Sequence, residues 1–117
     1  MAKSQPWSEI EEDHPIPLLH RKLVKGENAL VARVRLETGC QVPLHQHASE
    51  QIAVVVSGKL LWNVGGEELI AQGGEVLVLP PNVPHSVTAL EDSEVFDILS
   101  PVGPMGVDMA GAAREEG

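Results

Sequence analysis

Short apolar runs punctuated by glycine and proline set the tightest limit on what this chain can fold into. "ALVARVRL" alternates, with Leu30, Ala32, Val34 and Leu36 on one face and Val31, Arg33 and Arg35 on the other. That is the period of a half-buried β-strand. "QIAVVV" is β-branched and apolar on both faces. "KLLWNV" follows Gly58 and runs into Gly65-Gly66, a hairpin signal. "ELIA", "EVLVLP", "HSVTAL" and "EVFDILS" come next, separated by "QGG", "PPNVP" and "EDS". No stretch carries the spacing of an amphipathic helix with any force. Some seven short strands with regular turn signals predict an all-β barrel or sandwich.

With 117 residues the chain suits one domain. It is 43% hydrophobic but only 3% aromatic, so the core must be built from Val, Leu, Ile and Ala. A net charge of −9 argues against nucleic acid and anionic membranes as partners. It favours small-molecule or protein partners. No apolar run approaches the roughly 18 residues of a membrane span. The N-terminus "MAKSQPWSEIEEDHPIP" has no apolar core, so no secretory signal is expected. A single cysteine, Cys40, rules out an internal disulfide and fits the cytoplasm. Residues 1–24 read as an arm laid over the domain or a neighbour, with Trp7 and Ile10 as its anchors. Residues 25–101 read as the barrel, and the Gly- and Ala-rich 102–117 as a loose tail.

Chemistry concentrates in "GCQVPLHQHASEQIAVVVSG", residues 39–58. Side chains at i and i+2 of a strand share a face, so His45 and His47 point together. Gln51 shares their parity and Glu50 does not, provided no turn at Ala48-Ser49 breaks the count. A third histidine, His85, opens a strand after the rigid "PPNVP". Neutral imidazoles from two strands, converging inside a barrel, suit a first-row divalent metal.

The frame around these residues carries a resemblance. Gly39, His45-x-His47, Gln51 and Gly58 are spaced like the first cupin motif, with Gln51 where glutamate is usual. Gly74, Pro80, Asn82 and His85 follow the second motif, with Asn82 in place of glycine and Ala89 in place of asparagine. Over roughly residues 25–100 the chain thus resembles the cupin superfamily. The resemblance implies a double-stranded β-helix, the cupin jelly-roll barrel. It implies a metal held in the barrel mouth by His45, His47, Gln51 and His85. It favours Gln51 over Glu50 as the fourth ligand. Small cupins of this kind commonly pair, so it also implies a homodimer.

Glutamine offers a neutral oxygen in place of a carboxylate. Such a site should bind magnesium or calcium weakly and suit nickel, iron, copper, zinc or manganese, which the sequence does not rank. A second polar residue stands out in "SEVFDILSP": Asp97 falls in the middle of an apolar strand. It is either a general base in the barrel mouth or a structural residue, paired with Arg33 or Arg35 or exposed on an edge strand. The C-terminal half resembles the small cupins that linearise 4,5-unsaturated uronates in pectin and alginate breakdown. Asp97, Ser100 and Pro101 match their pattern, while Leu99 stands where phenylalanine is usual. Gly103 falls near the position of an arginine that would pair with a uronate carboxylate, which leaves Arg33 and Arg35 as substitutes. Trp62 reads as packing, Cys40 as a small buried residue, and His14 and His20 as surface residues outside the frame.

Three functions follow as expectations. The first is a metal-dependent enzyme that isomerises or ring-opens a small oxygenated molecule such as a sugar acid, with Asp97 moving the proton. The second is a metal-dependent dioxygenase. The third is a non-catalytic small-molecule binding barrel.

Overall fold

The structure, a computed structural model, describes residues 2–107. Among the described residues ten strands carry the fold: β1 (Glu12–Asp13), β2 (Leu19–Lys25), β3 (Leu30–Leu36), β4 (Gln41–His45), β5 (Glu50–Ser57), β6 (Lys59–Val64), β7 (Glu67–Gln72), β8 (Val76–Leu79), β9 (His85–Ala89) and β10 (Ser93–Ser100). They form a six-stranded sheet in the order β1-β2-β3-β10-β5-β8 and a four-stranded sheet in the order β4-β9-β6-β7. Every pairing is antiparallel. This is the expected jelly-roll barrel.

Alternation in sequence becomes alternation in burial. In β3, Leu30, Ala32, Val34 and Leu36 are buried, while Val31 and Arg33 are half-buried and Arg35 is exposed. β10 does the same with Ser93, Val95, Asp97 and Leu99 inside. The inner faces of both sheets share one core, with Leu30, Val55 and Leu99 from the larger and Leu60, Trp62 and Val87 from the smaller. The core is aliphatic, as composition requires; each fully buried Val or Leu contributes about 1.5–3 kcal/mol. A two-residue turn at Gly65-Gly66 joins β6 to β7. Among the described residues no helix is long and apolar enough to cross a membrane.

The chain ends differ from the sequence reading. Leu19–Lys25, assigned in part to the arm, is β2 and pairs along its length with β3. Leu19, Arg21 and Leu23 do alternate inward there, but the charges between and among them hide the pattern. Ahead of it, Trp7 packs its ring 5.8 Å from Phe96 on the outer face of the large sheet, with the Arg33 guanidinium 5.9 Å from the indole centre. Residues 102–107, read as part of a loose tail, bring Met105 and Val107 into the core. Two isolated apolar residues in a Gly-rich stretch give no period to read. Residues 108–117 of that tail lie outside the described residues.

Gly58 turns β5 into β6 at φ 90°, and a Cβ there would collide with Ser93 Oγ and the Asp92 carbonyl. Gly39 has the same φ but open space around it. Gly58→Ala should therefore cost at least ~2 kcal/mol and Gly39→Ala only ~1 kcal/mol. Urea unfolding midpoints check this; equal losses would contradict it.

Candidate metal centre

The three histidines reach one place by separate local routes. His45 ends β4 and His85 opens β9, and the two are paired across the strands. The register shifts between Val42 and His45, so both point inward although three residues apart. His47 lies in the loop before β5, and Gln51 is the second residue of β5. The regular strand through residues 45–51 that the parity argument assumed does not exist; a bulge and a turn bring the side chains together instead. The proline-rich loop is tied to this turn, because the Asn82 N–H donates to the His47 carbonyl at 2.8 Å.

Each imidazole is held through Nδ1. His45 Nδ1 meets the Pro43 carbonyl at 2.7 Å, His47 Nδ1 the Ser49 carbonyl at 2.8 Å, and His85 Nδ1 the Val83 carbonyl at 2.8 Å. A carbonyl oxygen only accepts, so all three rings carry their hydrogen on Nδ1. In the neutral ring Nε2 then presents a lone pair. One nitrogen from each ring lies within 4.8 Å of the others. His85 is 2% exposed, and its Nε2 is buried with no hydrogen-bond partner among the described residues. Burial holds His85 down at about 4, well below an ordinary imidazole, with a smaller push from His45 and His47. Burial lowers His45 as well. Both are neutral bases near pH 7, as metal ligands must be.

Gln51 completes the set. Its Nε2 donates to Asp97 Oδ1 at 2.9 Å, which aims its Oε1 at His47 Nε2, 3.0 Å away. Two acceptors facing each other at that distance repel unless a cation lies between them. Neighbouring ligands on one ion, with bonds of roughly 2.1 Å at right angles, sit about 3.0 Å apart. The orphaned His85 Nε2 and this acceptor pair both fit a bound first-row divalent ion.

Asp97 sits in β10 between Ala32 of β3 and Ala53 of β5. These small neighbours leave room for a carboxyl on the inner face. Burial pushes its pKa up to about 7, partly offset by the Gln51 hydrogen bond. Neither proposed arginine partner reaches it. Arg33 pairs with Glu94 at 3.1 Å and Arg35 with Glu12 at 3.4 Å, both on the outer face. The arginine that does line the cavity is Arg21 of β2, which sequence reading missed. Its side chain is buried and holds Asp13 in a two-bond pair, Nε to Oδ1 at 3.0 Å and Nη2 to Oδ2 at 2.7 Å. The inward alternation of Leu19, Arg21 and Leu23 was the available signal.

His45, Gln51, His85, Asp97, Arg21, Trp62, Met105 and aliphatic side chains enclose a cavity of about 50 Å³. Trp62 packs in the core as expected, but its indole N–H is buried without an acceptor among the described residues. Gly106 closes over the cluster so tightly that a Cβ there would collide with the His45 ring. Cys40 is buried beside the Pro17 carbonyl, and burial raises its thiol pKa. That is an inert residue, not a nucleophile.

A two-sheet jelly roll with three imidazoles and an amide at its centre is the architecture of a cupin barrel. The chain belongs to the cupin family: the family model for the cupin domain matches residues 32–100. It is similar to KdgF from Halomonas sp., at 28% identity over 88% of this chain and 96% of that one, with a TM-score of 0.81. It is also similar to an RmlC-like cupin from Shewanella frigidimarina NCIMB 400, at 20% identity over 87% and 93% of the two chains and a TM-score of 0.81. A mutant of Bacillus subtilis oxalate decarboxylase aligns at 21% identity over 81% of this chain and 28% of its own, with a TM-score of 0.72. The last two likenesses are of fold alone. No curated protein matches the chain.

The Asp97 carboxyl gives the metal-free protein a pH signature. Below about pH 4 it is protonated in both folded and unfolded chains. Its folded value of about 7 exceeds the ordinary 3.8, so folding is progressively weakened as pH rises between the two. Above 7 the buried charge costs on the order of 4 kcal/mol. Asp97→Asn should raise the melting temperature of the metal-free protein at pH 8 and leave it unchanged at pH 4. Equal gains at both pH values would remove this account.

Proposed function

We propose that this protein is a metal-dependent cupin enzyme acting on a small sugar acid or a similar oxygenated carboxylate, by isomerisation or ring-opening. The observation that carries the reading is the 3.0 Å approach of His47 Nε2 to Gln51 Oε1 beside the orphaned His85 Nε2. His45, His47, Gln51 and His85 would hold the ion. Bound there, a nickel, iron, manganese, zinc or copper ion supplies a Lewis acid that polarises a carbonyl or hydroxyl of the ligand. With neutral protein ligands, the set leaves the ion's charge unoffset.

The chain's own residues supply the rest. The Gln51 amide donates to Asp97 Oδ1 and so fixes the carboxyl, leaving Oδ2 to exchange a proton with a bound molecule. Burial raises the Asp97 pKa and a cation beside Gln51 would bring it back down, toward the ionised carboxylate that a general base needs. Arg21, already paired with Asp13, would share its charge with a substrate carboxylate by way of Nη1, which now meets Met105 Sδ, in the cavity where Arg33 and Arg35 do not reach. Trp62 Nε1 offers a further donor. A cavity of about 50 Å³ holds only a few waters, so a sugar acid requires Met105 and Val107 to move aside. The resemblance of the C-terminal half to uronate-linearising cupins, and the likeness to KdgF, support the substrate class.

The test begins with elemental analysis of untagged protein after chelation and reloading. Wild type should carry a bound ion at the barrel site, and His47→Ala should lose it. Turnover is then followed by NMR against 4,5-unsaturated uronates and related sugar acids. Asp97→Asn should keep the metal and lower kcat by ~100-fold or more. Arg21→Gln should act mainly on KM, by ~10-fold or more. Full activity in Asp97→Asn, or a His47→Ala protein that keeps the barrel ion, would sink the proposal.

A further inference from the structure

A second group of metal-type donors lies on the outer surface, well apart in the chain from the barrel frame. β1 pairs Glu12 with Lys22 and Asp13 with Arg21. Continuing that register places His14 opposite His20. Glu12 and His14 stand at i and i+2 of the extended segment, so they share a face, and His20 meets them from the facing strand. One donor atom from each lies within 4.8 Å of the others. The rings of His14 and His20 cross edge to face at 4.8 Å.

The hydrogen-bond pattern points the donors at one another. His20 Nε2 lies 2.8 Å from Glu37 Oε2. A carboxylate only accepts, so this nitrogen carries the hydrogen and Nδ1 keeps the lone pair. That lone pair faces His14 Nδ1 at 3.0 Å. Glu12 Oε1 approaches from the side, 3.7 Å from His20 Nδ1. A carboxylate that orients a histidine from behind, with the other ring nitrogen turned to two further donors, is the arrangement of ligand histidines in metal sites. Glu12 and Glu37 would offset the charge of a divalent ion. Two contacts compete with an ion: a His14 Nδ1–H donated to the His20 Nδ1 lone pair, which the 3.0 Å distance also fits, and Arg35, whose Nη2 lies 3.4 Å from both Glu12 oxygens.

We propose that Glu12, His14 and His20, backed by Glu37, form a second metal site for a borderline divalent ion such as zinc, nickel or copper. The site is built from the β1–β2 hairpin and is independent of the barrel cluster. Its ligands flank Asp13, the partner of Arg21. An ion here pins the segment that supplies the counter-charge to the cavity arginine.

Calorimetric titration with zinc, on chelated and dialysed protein without a histidine tag, tests the proposal. The barrel variant is His45→Ala/His47→Ala and the outer variant is His14→Ala/His20→Gln. His14→Ala alone is the control against misfolding, since that side chain is 55% exposed. Wild type should bind two equivalents. The outer variant should lose one and keep the other, His14→Ala should weaken the same equivalent by ~10-fold or more, and the barrel variant should keep the outer one. A wild type that binds a single equivalent, absent from the barrel variant, would overturn the outer site and leave the barrel reading intact. A single equivalent that only the outer variant loses would support the outer site and overturn the barrel reading. Titration curves identical in wild type and the outer variant would also overturn the outer site.

Discussion

Everything at the centre of this barrel depends on three short hydrogen bonds, each from a histidine Nδ1 to a carbonyl two residues away. Because the partners are so near in sequence, the local backbone sets both the tautomer and the ring direction. Three Nε2 lone pairs are thereby turned inward before any ion arrives. Such preorganisation comes from the local chain itself: Ser49 and Val83 lie in turns next to strands, and Pro43 sits at the bulge of β4.

A polar chain then runs back from these rings into an otherwise aliphatic core. Asp97 holds Gln51, and Gln51 faces His47. The large sheet makes this possible by register. Gln51 and Asp97 are diagonal neighbours on adjacent strands, and Ala32 and Ala53 flank Asp97 with the smallest side chains available. Arg21 enters from the next strand but one and is neutralised by Asp13 at the sheet edge. Buried groups of this kind weaken the fold in proportion to their desolvation. Their retention in one cavity is the pattern expected of a functional site.

The sequence made the barrel legible because β3, β5, β6 and β10 alternate or run apolar between glycine and proline turns. His45, His47, Gln51 and His85 were picked out by spacing, and the structure gathers the three imidazoles with Gln51 Oε1 beside His47, while only His45, Gln51 and His85 line the cavity itself. Parity reached Gln51 for the wrong local reason, since Pro43 and the Ala48-Ser49 turn break the strand on either side of the histidines. Arg21 was hidden because β2 reads "LHRKLVK", where charge masks two inward leucines. Met105 and Val107 were hidden because a lone apolar residue among glycines has no period. Which partner Asp97 takes was beyond reach for a related reason: strand order decides it, and β10 lies between β3 and β5, distant in sequence. His14 and His20 passed as surface residues because their hairpin was not read as one.

The central claim is that four side chains, three imidazoles and one amide, hold a single ion in the barrel. A crystal of the reloaded protein, with diffraction recorded on either side of the ion's absorption edge, tests it most directly. The account predicts an anomalous peak within bonding distance of Nε2 of His45, His47 and His85 and of Gln51 Oε1. Density there that lacks an anomalous signal, with His85 Nε2 bonded only to water, would contradict it.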